Sequence, residues 1–221
     1  MDCISKRGLL SLLLLCAFYT VRAQVPYFAE TVGNGKIYGY TSLKVRTGID
    51  DIESYNTVQI GLGKHFALGA DLSVNGHESY YGFLFRGGYE FSPFFNAGVQ
   101  LTPSFDLSDR FRFDYLTAAL YLNGAVTRNN RLFWVSNTWY GINRGTKNTV
   151  NQWLYLGYNI RFKKDRGLTP MAGIIYSWEF DNAPDLAVGA YYSFKKFNLY
   201  LWSDRIFRSH PRFVIGIDFT L

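Results

Sequence analysis

His65, His77 and His210 are the only imidazoles in this 221-residue sequence, and they bound the general-base chemistry open to it. Hydrolysis by an activated hydroxyl needs a His within reach of a Ser. His77 and Ser79 are near neighbours and Ser209 adjoins His210, but neither spacing is specific to a triad. Paired acids working with a His would come from Asp50, Asp51, Asp106, Asp109, Asp181 or Asp185. All six lie in loop-like stretches, where Asp ordinarily serves turn formation. The stretch GLGKH (61–65) has the glycines of a phosphate loop, yet no helical pattern follows to cap an anion. The histidines lack ligand spacing, and Cys3 and Cys16 both fall in the first 23 residues, so no transition-metal site and no cofactor are expected. Calcium or magnesium at the Asp-bearing loops is the remaining metal option. Enzyme chemistry is therefore the minor reading, with lipid hydrolysis its most concrete form.

The elements that would carry any site begin after an export signal. MDCISKRGLLSLLLLCAFYTVRAQ has a basic start, an apolar run from Gly8 to Phe18, and small Ala23 at the expected cut. Residues 1–23 are read as a signal peptide, 24–35 as an N-terminal segment or short plug, and 36–221 as one domain. Cleavage removes three basic residues and one acidic residue, lowering the formal net charge from +6 to +4, and takes away both cysteines. Aromatic residues make up 19% of the chain, which calls for a physical cause. A mean hydropathy of −0.06 excludes a helical membrane protein and fits strands that alternate apolar and polar residues.

Period-two patterning predicts strands at about 36–47, 54–63, 65–74, 79–91, 94–104, 111–125, 131–142, 149–162, 168–180, 185–194, 197–206 and 212–221. The connections alternate strictly between short (GKH, SP, TRNN, KKDRG, KK) and longer, Asp/Asn/Gly-rich (GIDDIE, NGHE, DLSDR, RGTKN, DNAPD, RSHP). Aromatics stand at the ends of the apolar stripes, as in Phe66, Phe85, Phe91, Tyr176, Trp178, Phe180, Phe194 and Phe197. Most strands are long enough to cross a bilayer at a tilt, roughly 9–11 residues. Together these predict an all-β fold, an antiparallel up-and-down transmembrane β-barrel of about twelve strands, with ten or fourteen as alternatives. A soluble sandwich is the competing architecture.

The last stretch, VIGIDFTL, resembles the C-terminal signal of Gram-negative outer-membrane β-barrel proteins, carried here by Gly216, Phe219 and Leu221. Leu221 stands where a terminal Phe is commoner, and Val214 where a polar residue is usual. The resemblance implies placement in the cell outer membrane, with the barrel-assembly machinery and outer-membrane lipids as partners. The short turns carry Lys64, Arg128, Arg131, Lys163, Lys164, Arg166, Lys195 and Lys196 against Asp165, a basic rim suited to anionic headgroups.

With apolar faces toward lipid, the inward candidates for a solute path are Tyr38, Tyr40, Lys44, Arg46, Asp71, Arg86, Gln100, Tyr155, Arg161, Glu179 and Asp204. Gln59, Glu90, Asn96, Tyr200 and Asp218 share that face. The expected function is a narrow channel for small polar or anionic solutes, with cations guiding anions and tyrosines stacking on flat or sugar-like molecules. The alternative is a plugged structural or adhesive barrel whose charges pair internally and whose loops bind a partner. No nucleic-acid partner is expected.

Overall fold

Where alternate residues are apolar and the connections are tight, the backbone satisfies its hydrogen bonds most simply by pairing each strand with the next. A computed structural model of the chain describes residues 28–48, 51–76, 78–163, 165–177 and 183–221. Among these the strands are β1 (Ile37–Arg46), β2 (Asp51–Leu62), β3 (Phe66–Val74), β4 (Ser79–Ser92), β5 (Phe95–Asp106), β6 (Arg112–Ala125), β7 (Leu132–Asn143), β8 (Thr149–Tyr158), β9 (Ile160–Lys163), β10 (Arg166–Ser177), β11 (Asp185–Phe194), β12 (Phe197–Asp204) and β13 (Arg212–Thr220). β8 and β9 both pair with β10 and are interrupted at Asn159, whose side chain accepts a 2.9 Å hydrogen bond from Thr169 Oγ1. They form one barrel strand, giving the twelve that the patterning predicts.

Every neighbour in the sheet is antiparallel, and β13 closes on β1 with Tyr38 opposite Thr220 and Arg46 opposite Arg212. Ile37 and Leu221 exchange backbone hydrogen bonds of 3.0 and 2.8 Å at the short-turn end of this seam. Phe219 points outward and lies over Gly39, where even a Cβ would meet its ring. Closure leaves no edge strand, the arrangement a hydrocarbon solvent demands.

Burial is inverted relative to a soluble protein. Large apolar side chains face outward, with Phe66 64% and Ile215 59% exposed, while polar Asn137, Asn198 and Asp218 are fully enclosed. Leu43, Val58, Leu101, Leu120, Leu154 and Leu201 form an exposed aliphatic belt. Aromatic rings flank it: Phe66, Tyr89, Phe91, Phe94, Phe162 and Phe197 toward the short turns, and Phe105, Phe111, Phe113, Tyr140, Phe207 and Phe213 toward the long loops. The rings touch one another, as in Phe105 stacked on Phe111 at 4.8 Å. These are interfacial girdles, and they account for the aromatic excess. Trp178, Phe180, Lys164, Asp50 and the stretch 1–23 read from the sequence as a signal peptide lie outside the described residues.

Candidate functional site: the barrel interior

The inner wall has two unlike sectors. Phe133, Val135, Tyr155, Met171, Ile175, Ala187, Tyr191, Tyr200 and Trp202 from β7 through β12 form one buried apolar cluster. Within it Trp202 Nε1 donates to the Tyr191 hydroxyl at 2.8 Å, so the indole hydrogen bond is met inside the cluster. Tyr155, expected to face a solute, instead packs its ring against Trp153 at 5.7 Å and Trp202 at 4.8 Å. Tyr200 likewise lies against Tyr191, at 5.3 Å. In this sector the wall is apolar on both faces, which blurs the alternation in the sequence.

The sector from β1 to β6 is polar. Asp71 is buried and accepts from Tyr55 Oη at 2.7 Å and Thr57 Oγ1 at 2.6 Å. Tyr40 is half-buried and stacks on Tyr55 at 5.6 Å. Gln100 donates to Thr102 Oγ1 at 3.1 Å and accepts from the Tyr121 hydroxyl at 3.3 Å. Lys44 is paired with Glu53, whose other oxygen accepts from Ser73 Oγ at 3.1 Å. At the long-loop mouth Arg212 binds Asp204 through two hydrogen bonds of 2.8 and 2.9 Å, and Arg46 is half-buried on the neighbouring strand. Asp218 is enclosed near the seam and accepts from Asn198 Nδ2 at 2.8 Å. Charges of both signs thus occur in adjacent pairs rather than as a ladder of one sign. Arg161 and Glu90 are exposed near the short-turn rim, and Glu179 lies outside the described residues.

Residues 28–34 run across the short-turn mouth along the inside of the wall. Gly35 N donates to Gly61 O at 2.9 Å as the segment leaves β1, and Gly63 N donates to Asn34 Oδ1 at 2.8 Å. Val32 packs with Tyr38 and Ala67, and Thr31 Oγ1 donates to Lys64 O at 3.1 Å. Ala29 N donates to Asn123 Oδ1 at 2.7 Å, and Asn96 Nδ2 donates to Glu30 Oε1 at 2.9 Å. Phe28 reaches the far sector, edge-on to Phe133 at 5.5 Å, and its carbonyl accepts from Arg86. The Arg86 guanidinium also lies 4.5 Å over the Tyr121 ring. Arg86 and Tyr38 therefore hold this segment. Their inward parity is legible in the sequence, but this partner is not.

The hydrolase constellation is not assembled by the residues described. His65 Nδ1 sits 3.1 Å from Gly88 O with its ring stacked on Tyr89, and His210 Nδ1 sits 2.9 Å from Thr47 O. Each imidazole bridges neighbouring backbone segments, and His77 lies outside the described residues. No group of three or more potential metal ligands occurs among the described residues. On the short-turn rim, Arg166 and Lys195 lie 5.0 and 5.4 Å over the Phe194 ring, placing cationic groups beside the aromatic girdle.

No family model matches the sequence, and no curated protein matches it. Solved structures match at the level of the fold. The chain is similar to the KdgM porin, at 13% identity and a TM-score of 0.61 over 82% of this chain and 98% of that one. It is similar to the NanC porin at 11% identity and a TM-score of 0.61, over 83% of this chain and the whole of that one. The KdgM porin in complex with disordered oligogalacturonate gives a TM-score of 0.60 at 13% identity, over 82% and 98% of the two chains. The shared fold, a closed antiparallel barrel with an apolar exterior and aromatic girdles, is that of outer-membrane β-barrels. Within that class the chain has the closed, twelve-stranded, porin-like architecture.

Proposed function

We propose that the protein is an outer-membrane channel for small polar solutes, anionic ones included. The observation that carries this reading is the polar sector of the inner wall. Half-buried Lys44, Arg46 and Glu53 stand there toward the long-loop end, with Tyr40 nearer mid-barrel and Trp139 and Trp153 across the lumen. Ring faces, hydroxyls and fixed charges of both signs suit a hydrated, hydroxyl-rich molecule better than an apolar one. Likeness to two porins over nearly the full length of each supports the same reading, although at these identities it speaks for the fold. The oligogalacturonate named with the KdgM porin is an acidic sugar polymer, which makes acidic saccharides the first solutes to try.

The second reading, a closed structural or adhesive barrel, is favoured by the pairing of Lys44 with Glu53 and Arg212 with Asp204, and by the segment across the short-turn mouth. Reconstitution into planar bilayers separates the two. Discrete, stable conductance that a small saccharide can block supports the channel. Silent membranes containing demonstrably folded barrel support the closed form. In the channel reading the short turns face the periplasm, Gly216, Phe219 and Leu221 serve assembly, and the basic rim meets inner-leaflet headgroups.

A further inference from the structure

The wall is shaped around residues 28–34. Gly61 on β2 faces the carbonyls of Gly33 and Val32, and Gly88 on β4 and Gly98 on β5 both face the carbonyl of Ala29. A Cβ at any of the three would strike main-chain oxygen. Backbone cannot swing aside as a flexible side chain can, so each strand carries Gly where the segment passes. Strand interiors otherwise disfavour Gly, which leaves no side chain to pack and marks close approach of another backbone. Side-chain amides complete the seat: Asn123 accepts from the Ala29 amide, and Asn96 donates to Glu30. Three strands with Gly at matching places, together with polar groups aimed at one segment, describe a built site for this stretch of chain.

Its position decides what it can do. The segment spans from β2 to β7 along the short-turn mouth, while the inward residues Lys44, Glu53 and Trp153 farther toward the other end remain partly open to water. A solute entering by the long loops thus meets a vestibule first and main chain last. We infer that residues 28–34 form the constriction that sets the channel's conductance and size limit, an inference that rests on the channel reading above. Selectivity by size then resides in a strap tethered to the barrel through Lys36 and held by a few hydrogen bonds. It does not reside in Arg86, which the strap covers.

The test compares three forms of the full barrel in planar bilayers: the native chain, a deletion of residues 24–34, and Gly98→Val, which keeps the strap but fills its seat. Both variants should raise single-channel conductance several-fold and admit larger polyethylene glycols. Heat-modifiable gel migration confirms that each barrel is folded. Equal, nonzero conductance and equal exclusion limits in all three would overturn the inference while leaving the channel standing. Silence from all three would remove the channel reading and this one with it. Labelling offers a readout free of conductance, since the chain from residue 24 onward has no cysteine. Val32→Cys should react with a membrane-impermeant maleimide about tenfold more slowly than Arg128→Cys on an exposed turn. Gly98→Val should abolish that protection. Equal labelling rates in the otherwise native chain would show the seat to be empty and overturn the proposal.

Discussion

Removing the Asp204 carboxylate should be among the most damaging single changes to this barrel. Asp204 holds Arg212 through two parallel hydrogen bonds of 2.8 and 2.9 Å, and the side chains are only 7% and 12% exposed. The register also sets Arg212 directly opposite Arg46 across the closing seam. Like charges in that position repel, and the Asp204 carboxylate offsets the repulsion. Asp204→Ala leaves a guanidinium poorly hydrated beside a second cation. Breaking an enclosed pair by deleting one partner costs about 3–5 kcal/mol, about two to four orders of magnitude in the folding equilibrium. Replacing both partners by residues of similar volume, Asp204→Leu with Arg212→Met, should restore stability to within about 1 kcal/mol of the native chain. Reversible urea unfolding in lipid vesicles, followed by tryptophan fluorescence, measures all three. A loss below about 1 kcal/mol for Asp204→Ala, or a double variant no better than the single, would refute the reasoning.

Other expectations follow from the same geometry. Leu154→Arg, on the exposed aliphatic belt, should cost about 2–4 kcal/mol in vesicle refolding, whereas Asn151→Arg, three positions away on the inward face, should cost far less. Thr57→Val removes a donor from the enclosed Asp71 and should cost about 1–3 kcal/mol by the same assay. In the channel reading, Glu53→Gln frees the Lys44 charge and should shift the reversal potential in a salt gradient toward anions, with Lys44→Gln shifting it toward cations. Phe219→Ala combined with deletion of Leu221 should lower the fraction of heat-modifiable barrel in the outer membrane, with little change in total synthesis.

Much of the architecture was readable because each strand reports locally. In β12, Phe197, Leu199 and Leu201 alternate with Asn198, Tyr200 and Trp202, and the structure puts the first set outside and the second inside. The alternation of short turns with long loops follows equally directly, since both are contiguous stretches of chain. The interior was less readable. Tyr155 has the inward parity expected of it, but parity does not say whether an inward ring meets solvent or another ring. Phe133, Val135, Met171 and Ile175 are inward as well, and the sequence offers no sign that they pool into one cluster with Trp202. Arg86 was visible as an inward cation. Its partner, the Phe28 carbonyl, lies 58 residues earlier. The inward glycines Gly61, Gly88 and Gly98 were the available signal for the segment's seat, since Gly on a lumen face leaves space that something else must fill.

By itself the sequence determined that this chain makes strands, how many, which faces are apolar and where the turns are tight, because those properties depend on neighbours in the chain. Tertiary structure decided the contents of the barrel: the pairing of Lys44 with Glu53 and Arg212 with Asp204, the apolar cluster along one wall, and the course of residues 28–34 across the mouth. Closing a sheet brings residues from distant strands into one small volume. Which of them then meet depends on register and shear around the whole cylinder, quantities that no single strand encodes.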